Sequence, residues 1–268
     1  MNIYVELTRR FNTGRTRVIL SSGQAVVFYR LAVMSKDGDW IIREDDEALA
    51  HVLSVLGECG ARYRFGAPLD RRWLAGGWSS HFEFSRDNLR VRTDFVSRPP
   101  RIDAARLRQI WIDAGDAPVP VVPLADLAEL KKTNREKDYA VIGELARRMT
   151  PRETMLRYSR SAQEILACHC EDAATTERIL RERGIDPASA GSRDTLEAAL
   201  DAERRRLMRA NEQRLSRYAA AAGPWERAWS DLHRSIATLS LTKAHRCITE
   251  QARLLLPFTV QTDTEART

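Results

Sequence analysis

Long apolar runs are missing from this 268-residue sequence, and no stretch approaches the roughly 18 apolar residues that a membrane-spanning helix needs. The first residues also lack the apolar core of a secretory signal peptide. Cysteine is scarce, and Cys59, Cys168, Cys170 and Cys247 are too few and too irregularly spaced for a disulfide framework. We therefore expect a cytoplasmic protein that makes no membrane contact.

Neither sign of charge dominates the chain. The 43 Lys and Arg exceed the 37 Asp and Glu by enough to give a net charge of +6, which favours polyanionic partners without identifying one. Arginines crowd residues 62–101, where they occupy positions 62, 64, 71, 72, 86, 90, 92, 98 and 101. They could form a basic rim for a nucleotide or RNA, or they could be ordinary solvated side chains.

Residues 62–84 carry the pattern on which the functional prediction depends. Residues 62–65 are a short β-rich run that ends at Gly66-Ala67-Pro68, and residues 69–74 fit a short helix ending at Gly76-Gly77. A strand that enters a helix through a glycine turn leaves backbone N–H groups that suit a phosphate. Residues 79–84 then form a second predicted strand.

Three side chains with metal-binding chemistry follow this turn. His81 and Glu83 are two residues apart in a strand, so they point to the same face, about 6 to 7 Å apart. Residues 85–88 are typical of a turn, and the alternating residues 89–96 predict a hairpin with the preceding strand. Asp94 lies in the middle of that last strand, where it either pairs with an arginine or joins His81 and Glu83 at a cation.

This order of motifs resembles the DNA polymerase beta-like nucleotidyltransferases, in particular the abortive-infection toxins of type IV toxin-antitoxin systems. Those proteins carry a Phe-x-Gly-Gly type turn, a short helix, a Phe-Ser-x-Asp-x-Asp-Phe strand and a third Asp on a later strand. The matching stretches here are residues 65–67, residues 78–84 and Asp94, and residues 130–138 are similar to the Leu-Lys, Arg, Lys-Asp signature of small members. The resemblance covers roughly residues 45–150.

The resemblance implies a metal-dependent nucleotidyltransferase, which moves an NMP from an NTP to a hydroxyl of RNA, tRNA or protein and has an antitoxin as a partner. It implies that catalysis and metal binding belong to His81, Glu83 and Asp94. It implies that nucleotide binding belongs to Gly66, Ala67, Ser79, Ser80, Lys131 and Arg135. Because His81 and Glu83 stand where the family has aspartates, the expected ion is Mn²⁺ as much as Mg²⁺.

Other interpretations remain open. Asp37 and Asp39 form an Asp-x-Asp pair that could match the family's two aspartates. However, Ser35-Lys36-Asp37-Gly38-Asp39 is typical of a hairpin turn, so the placement at His81 and Glu83 is favoured. The fold could also serve as a catalytically inactive nucleotide-sensing or protein-interaction module. A third class, a basic RNA- or DNA-binding protein, rests on charge alone.

The predicted fold class is α+β: a nucleotidyltransferase fold with a mixed sheet and flanking helices, preceded by a β meander and followed by a C-terminal helical bundle. The meander comprises strands over residues 2–7, 16–20, 25–34 and 40–43. The capping box Thr150-Pro151-Arg152-Glu153 sets the domain boundary, which gives a nucleotidyltransferase-like domain 1–149 and a helical domain 150–268. Gly223-Pro224 is expected to separate two helices of the second domain.

Overall fold

The computed structural model describes residues 2–260 and has an α+β architecture with a mixed sheet, as the sequence predicts. The strands are β1 Val18–Ser21, β2 Asp37–Ile42, β3 Arg62–Tyr63, β4 Ser80–Arg86 and β5 Leu89–Val96. They form one sheet in the order β1-β2-β5-β4-β3. The β2–β5 pair is parallel and the other neighbouring pairs are antiparallel, so the predicted β4–β5 hairpin is confirmed.

Helices make up most of the remaining described chain. Their bounds are α1 Ile3–Phe11, α2 Ser22–Phe28, α3 Asp46–Glu58, α4 Arg71–Ala75, α5 Ala104–Ala114, α6 Leu124–Leu130, α7 Glu136–Ala146, α8 Arg152–Tyr158, α9 Ala162–Glu171, α10 Ala173–Glu182, α11 Arg193–Ile236 and α12 Leu241–Leu255, with a 3-10 helix at Pro187–Gly191. Among residues 2–260, none of these helices is both long and apolar enough to cross a membrane.

The predicted N-terminal meander is wrong in two of its four strands. Residues 2–7 belong to α1, because Tyr4, Leu7 and Phe11 recur at helical spacing and are buried, and the Asn2 side chain caps the helix by accepting from Tyr4 N. Residues 25–34 begin inside α2 and continue as a loop. The β-branched run that favoured a strand there is amphipathic instead, with Val26 buried and Phe28 exposed.

The expected turn at Asp37-Gly38 is also wrong, since both residues lie in β2. Glycine is needed at position 38 for close packing. A Cβ atom there would lie 2.4 Å from Tyr4 Cδ1 and 2.5 Å from Trp40 Cη2, well inside van der Waals contact. The missing side chain therefore lets α1 pack directly on the strand.

One face of the sheet carries the hydrophobic core. Trp40, Phe82 and Phe95, from three adjacent strands, are each fully buried. Phe11 of α1 packs edge-on against Trp40 and Phe95, with ring centroids 5.4 and 5.7 Å apart. Because side chains alternate along a strand, the residues between these aromatics point to the opposite face of the sheet.

Compact packing divides the chain into two units, one formed by residues up to Val122 and from Ser216 onward, the other by Pro123–Leu215. The second unit is helical. The domain boundary predicted at residue 150 falls between α7 and α8, inside that unit. The break expected at Gly223-Pro224 is wrong, because α11 continues through Pro224.

Candidate active site

A polar surface covers the sheet face opposite the aromatic core. It arises from strand alternation, since the residues between the buried ones in β2, β5 and β4 are only partly buried. The members of this surface are Asp37 and Asp39 of β2, Arg92 and Asp94 of β5, and His81 and Glu83 of β4. The sheet thus brings the sequence-predicted His81, Glu83 and Asp94 onto one face, and it adds two aspartates to them.

Strand register arranges these side chains in two rows across the sheet. In the first row, Asp39 is opposite Asp94, Asp94 is opposite His81, and Arg64 N donates to His81 O at 2.9 Å. We call this the acidic row. Its two aspartates are direct neighbours on parallel strands, about 4.8 Å apart by ordinary strand spacing.

The second row, two residues along each strand, alternates in charge. It consists of Asp37, Arg92, Glu83 and Arg62, each opposite the next. Alternation of this kind stabilises a sheet surface, whereas like charges placed directly opposite each other destabilise it. The Asp39–Asp94 pair of the acidic row therefore departs from this alternation, because it places two acids opposite each other.

Asp94 is held by two donors on its Oδ1 atom. His81 Nδ1 lies 2.7 Å from it and Arg64 Nη1 lies 3.2 Å from it. The other ring nitrogen of His81, Nε2, is 2.8 Å from Ser79 Oγ. A continuous hydrogen-bonded chain therefore runs from Ser79 through His81 to Asp94, and we call it the Ser79 relay.

Asp37 has an unsatisfied oxygen. Its Oδ1 atom is enclosed and has no hydrogen-bond partner among residues 2–260, and Arg92 Nη1 stands 3.7 Å away. Burial raises the pKa of Tyr4, and the charges of Asp37, Asp39 and Asp94 raise it further, against a backbone hydrogen bond with Arg92 that lowers it. All three carboxylates thus act electrostatically on one phenol.

The donor set suits a hard divalent cation. Mg²⁺ and Mn²⁺ take carboxylate oxygens, and an enclosed oxygen without a partner beside two facing aspartates is what such an ion would satisfy. Within the described chain, no three His, Cys, Asp or Glu side chains stand close enough to hold an ion as they are now arranged. Asp37, Asp39 and Asp94 fit the ion in chemistry and in strand position, and side-chain rotation would have to complete the coordination.

Glu83, by contrast, is engaged in ion pairs. Its Oε2 atom accepts from Arg90 Nε at 2.8 Å and from Arg90 Nη2 at 2.5 Å, and Arg64 Nε stands 3.9 Å away. In the alternating row it also faces Arg92 and Arg62. Recruiting Glu83 to a metal would require these arginines to lose their counter-ion.

A cavity of about 800 Å³ opens at the end of the sheet where β2 and β5 begin. Its lining includes four cations, Lys36, Arg86, Arg90 and Arg92, together with the exposed apolar side chains of Val33, Met34 and Leu89. Arg92 joins this cavity to the polar surface through its approach to Asp37. The lining also contains the acids Glu6 and Asp87, and Arg86 pairs with Glu6. The volume is within the range of ligand pockets.

The other residues predicted to bind nucleotide do not line this cavity. Ala67 is buried and its N–H donates to Ser79 O at 3.0 Å, so that donor is not available to a phosphate. The α4 N-terminus lies beyond this turn and is capped by the acidic Asp70, which accepts from Arg72 N. Ser80 is fully buried on the core face, because it alternates with the surface residues His81 and Ser79.

Lys131 and Arg135 belong to the second unit, where both are paired locally. Lys131 is buried with its Nζ atom 3.3 Å from Asp138 Oδ1, and Arg135 Nε donates to Asp138 Oδ2 at 2.9 Å. Burial would by itself raise the pKa of Asp138, but a hydrogen bond from Thr133 and the charges of Lys131 and Arg135 outweigh it and lower that pKa. The predicted phosphate-binding pair thus holds a buried aspartate.

Comparisons with known proteins add one distant likeness. No protein-family model matches the chain, and no curated protein sequence matches it. A crystal structure described as a "putative nucleotidyltransferase from H. pylori" is similar over 79% of this chain and 96% of that chain, with 11% sequence identity and a TM-score of 0.37. A likeness of this size carries no argument about function.

Proposed function

We propose that the polar surface is the active site of a metal-dependent nucleotidyltransferase, which transfers an NMP from an NTP to an acceptor hydroxyl and releases pyrophosphate. The observation that carries the proposal is the pair of facing aspartates, Asp39 and Asp94, beside the Asp37 oxygen that has no hydrogen-bond partner among the described residues. A bound Mg²⁺ or Mn²⁺ would neutralise charge on the transferring phosphoryl group. Asp39, Asp94 and Asp37 would hold the ion.

The order of elements supports this assignment. The family that the chain resembles has a glycine turn, a short helix, a strand with two acids two residues apart, and a third acid on a later strand. Here α2 begins at Ser22-Gly23 directly after β1, and it is followed by β2 with its two aspartates and by β5 with Asp94. The argument that favoured residues 65–83 for this motif depended on a turn at Asp37-Gly38, and that turn is part of a strand.

The cavity beside the site supports the substrate class. Lys36 and Arg92 can contact phosphate oxygens, and Arg86 and Arg90 can do so by exchanging Glu6 and Glu83 for the phosphate. The apolar side chains of Val33, Met34 and Leu89 can pack against a nucleobase. Arg92 is positioned to link the phosphates to Asp37. The NTP would therefore lie between this cavity and the acidic row, with its α-phosphate at the aspartates.

Calorimetry with Mn²⁺ and a non-hydrolysable NTP analogue separates the two candidate ligand sets. Asp39→Asn and Asp94→Asn should each weaken metal-dependent binding by about tenfold or more, while Glu83→Gln should change it little. The reverse result, with Glu83 essential and Asp39 dispensable, would return the site to His81, Glu83 and Asp94. Labelled NTP incubated with total RNA and protein should give transfer that depends on Asp39, and no such transfer would contradict the enzyme.

The resemblance extends the proposal to an RNA, tRNA or protein acceptor and to a toxin restrained by an antitoxin. Growth arrest on expression, relieved in Asp39→Asn at equal protein level, is the expected outcome for a toxin. The non-catalytic alternative is favoured by one observation, the occupation of Asp94 Oδ1 by His81 and Arg64. It predicts NTP binding that is unchanged by chelation of metal.

A further inference from the structure

The Ser79 relay has the geometry of an activated nucleophile. Asp94 can only accept, so Nδ1 of His81 carries the proton that it shares with Asp94 Oδ1 at 2.7 Å. Nε2 is then the acceptor of the imidazole, and Ser79 Oγ donates its hydroxyl proton to it across 2.8 Å. A hydroxyl, a base and a group that orients the base thus stand in sequence, which is the arrangement that converts serine into a nucleophile.

The backbone around the relay is fixed by close packing. A Cβ atom at Gly66 would lie 2.4 Å from His81 Cδ2, so the glycine lets the chain pass against the imidazole edge. Gly66 O accepts from Trp225 Nε1 at 3.0 Å, and Ala67 N donates to Ser79 O at 3.0 Å. The serine and the histidine are therefore held from two sides, as a preorganised nucleophile requires.

The relay also reaches the proposed reaction centre. His81 is the next member of the acidic row after Asp94, and Ser79 lies two residues from it on the same face. The side chains of His81 and Asp94 are 25% and 21% exposed, so the relay opens to the surface where a substrate would bind.

We propose that Ser79 is an intrinsic acceptor of the nucleotidyl group, so that the protein modifies itself. The inference rests on the function proposed above. Ser79 Oγ forms a bond to the α-phosphorus of the NTP, the bond between the α-phosphorus and its bridging oxygen breaks, and pyrophosphate leaves. The hydroxyl proton passes to Nε2 of His81. The product is an NMP phosphodiester on Ser79, which blocks the relay.

Intact mass and peptide mapping after incubation with NTP and Mn²⁺ test the modification. The expected result is one added NMP on the peptide that carries Ser79, lost in Ser79→Ala and in Asp39→Asn, and at least tenfold slower in His81→Gln. Ser85→Ala is the matched control, because Ser85 is an exposed serine on the adjoining strand β4. The Ser85→Ala variant should gain the NMP at the same rate as the unaltered protein.

A second readout needs neither metal nor nucleotide. A fluorophosphonate probe in EDTA should label Ser79, with fluoride as the leaving group, and the labelling should be lost in Ser79→Ala and slowed in His81→Gln. Absence of labelling above the Ser79→Ala level would overturn the nucleophile. Asp39-dependent transfer to added RNA or protein with Ser79 unmodified would overturn self-modification and leave the enzyme standing. Absence of pyrophosphate release from any mixture would overturn both the self-modification and the nucleotidyltransferase activity.

Discussion

Glu203 is the side chain whose replacement should damage the second unit most. Its side chain is 7% exposed and lies between Arg183 and Arg160, which are 6% and 16% exposed. Glu203 accepts from Arg183 Nε at 3.0 Å, from Arg183 Nη2 at 2.7 Å and from Arg160 Nη1. The two guanidinium groups also donate to the carbonyls of Leu156 and Leu200, so they cannot turn to water without further loss.

Glu203→Gln keeps the shape and removes the charge that both arginines share. Leaving one partner of a buried ion pair uncompensated costs about 3 to 5 kcal/mol, and here a single change leaves two cations without their anion. The glutamine oxygen still accepts one hydrogen bond, which offsets about 1 kcal/mol. We therefore expect the free energy of unfolding to fall by about 2 to 4 kcal/mol, a large share of an ordinary domain's 5 to 15 kcal/mol.

Urea unfolding followed by far-UV circular dichroism measures this loss. Glu197→Gln is the matched control, because Glu197 pairs with Arg193 on the same helix but both side chains are more than half exposed. That change should cost about 0 to 1 kcal/mol. A Glu203→Gln loss no larger than the control's would refute the reasoning, since it would mean that the arginines are compensated without the carboxylate.

The pH dependence of stability should reveal the same interaction between Glu203 and the two arginines. Burial alone would raise the pKa of Glu203, but the hydrogen bond and charge of Arg183, with those of Arg160, hold it below the ordinary value of 4.5. A depressed folded-state pKa stabilises the fold above the ordinary value, and this stabilisation is lost as the pH falls through the folded-state pKa. Glu203→Gln should therefore flatten the decline of stability below pH 4.5, whereas Glu197→Gln should not.

Three further changes test other parts of the fold. Gly38→Ala should lower stability by about 1 to 3 kcal/mol, because its Cβ would overlap the Tyr4 ring, while Gly191→Ala, with no atom within 4 Å, should be near neutral in the same urea titration. Burial lowers the pKa of His245 below 6.5, so stability should be lost as the pH falls below 6.5 and the unfolded chain takes up a proton, and His245→Gln should remove that slope. Pro224→Ala should raise the melting temperature, because Pro224 is exposed within α11 and proline costs up to about 3 kcal/mol inside a helix. A lower melting temperature in Pro224→Ala would mean that the fold depends on the proline at this position.

Local patterns predicted the elements whose signals lie within a few residues of each other. The short helix predicted over residues 69–74 is found as α4, and the β4–β5 hairpin follows from a turn flanked by alternating strands. The strand prediction for residues 25–34 failed because Val26, Val27, Phe28 and Tyr29 have high strand propensity, while tertiary packing buries only one side of this segment. Propensity measured residue by residue does not report which side will be covered.

The acidic row could not be predicted from the sequence, for a different reason. Asp39 and Asp94 are brought together by a parallel pairing between strands more than 50 positions apart in the sequence, and no local turn sets its register. Within β2 a usable signal did exist. Gly38, Trp40 and Ile42 alternate with the two aspartates, which is a strand pattern with a polar face, and the glycine that suggested a turn serves close packing against Tyr4.

In the proposed function, Asp94 would let His81 and Asp39 act in one site. Its Oδ1 atom accepts hydrogen bonds from His81 and Arg64, and within residues 2–260 the Oδ2 atom has no hydrogen-bond partner. A carboxylate has two oxygens with lone pairs to spare, so an ion between Asp39 and Asp94 can take Oδ2 while Oδ1 keeps the relay in place. His81 then acts on Asp94 and Ser79, and the oxygen-rich ligand set that Mg²⁺ prefers remains intact. His81 thus belongs to the acceptor side of the proposed reaction, and Asp37, Asp39 and Asp94 belong to its metal side.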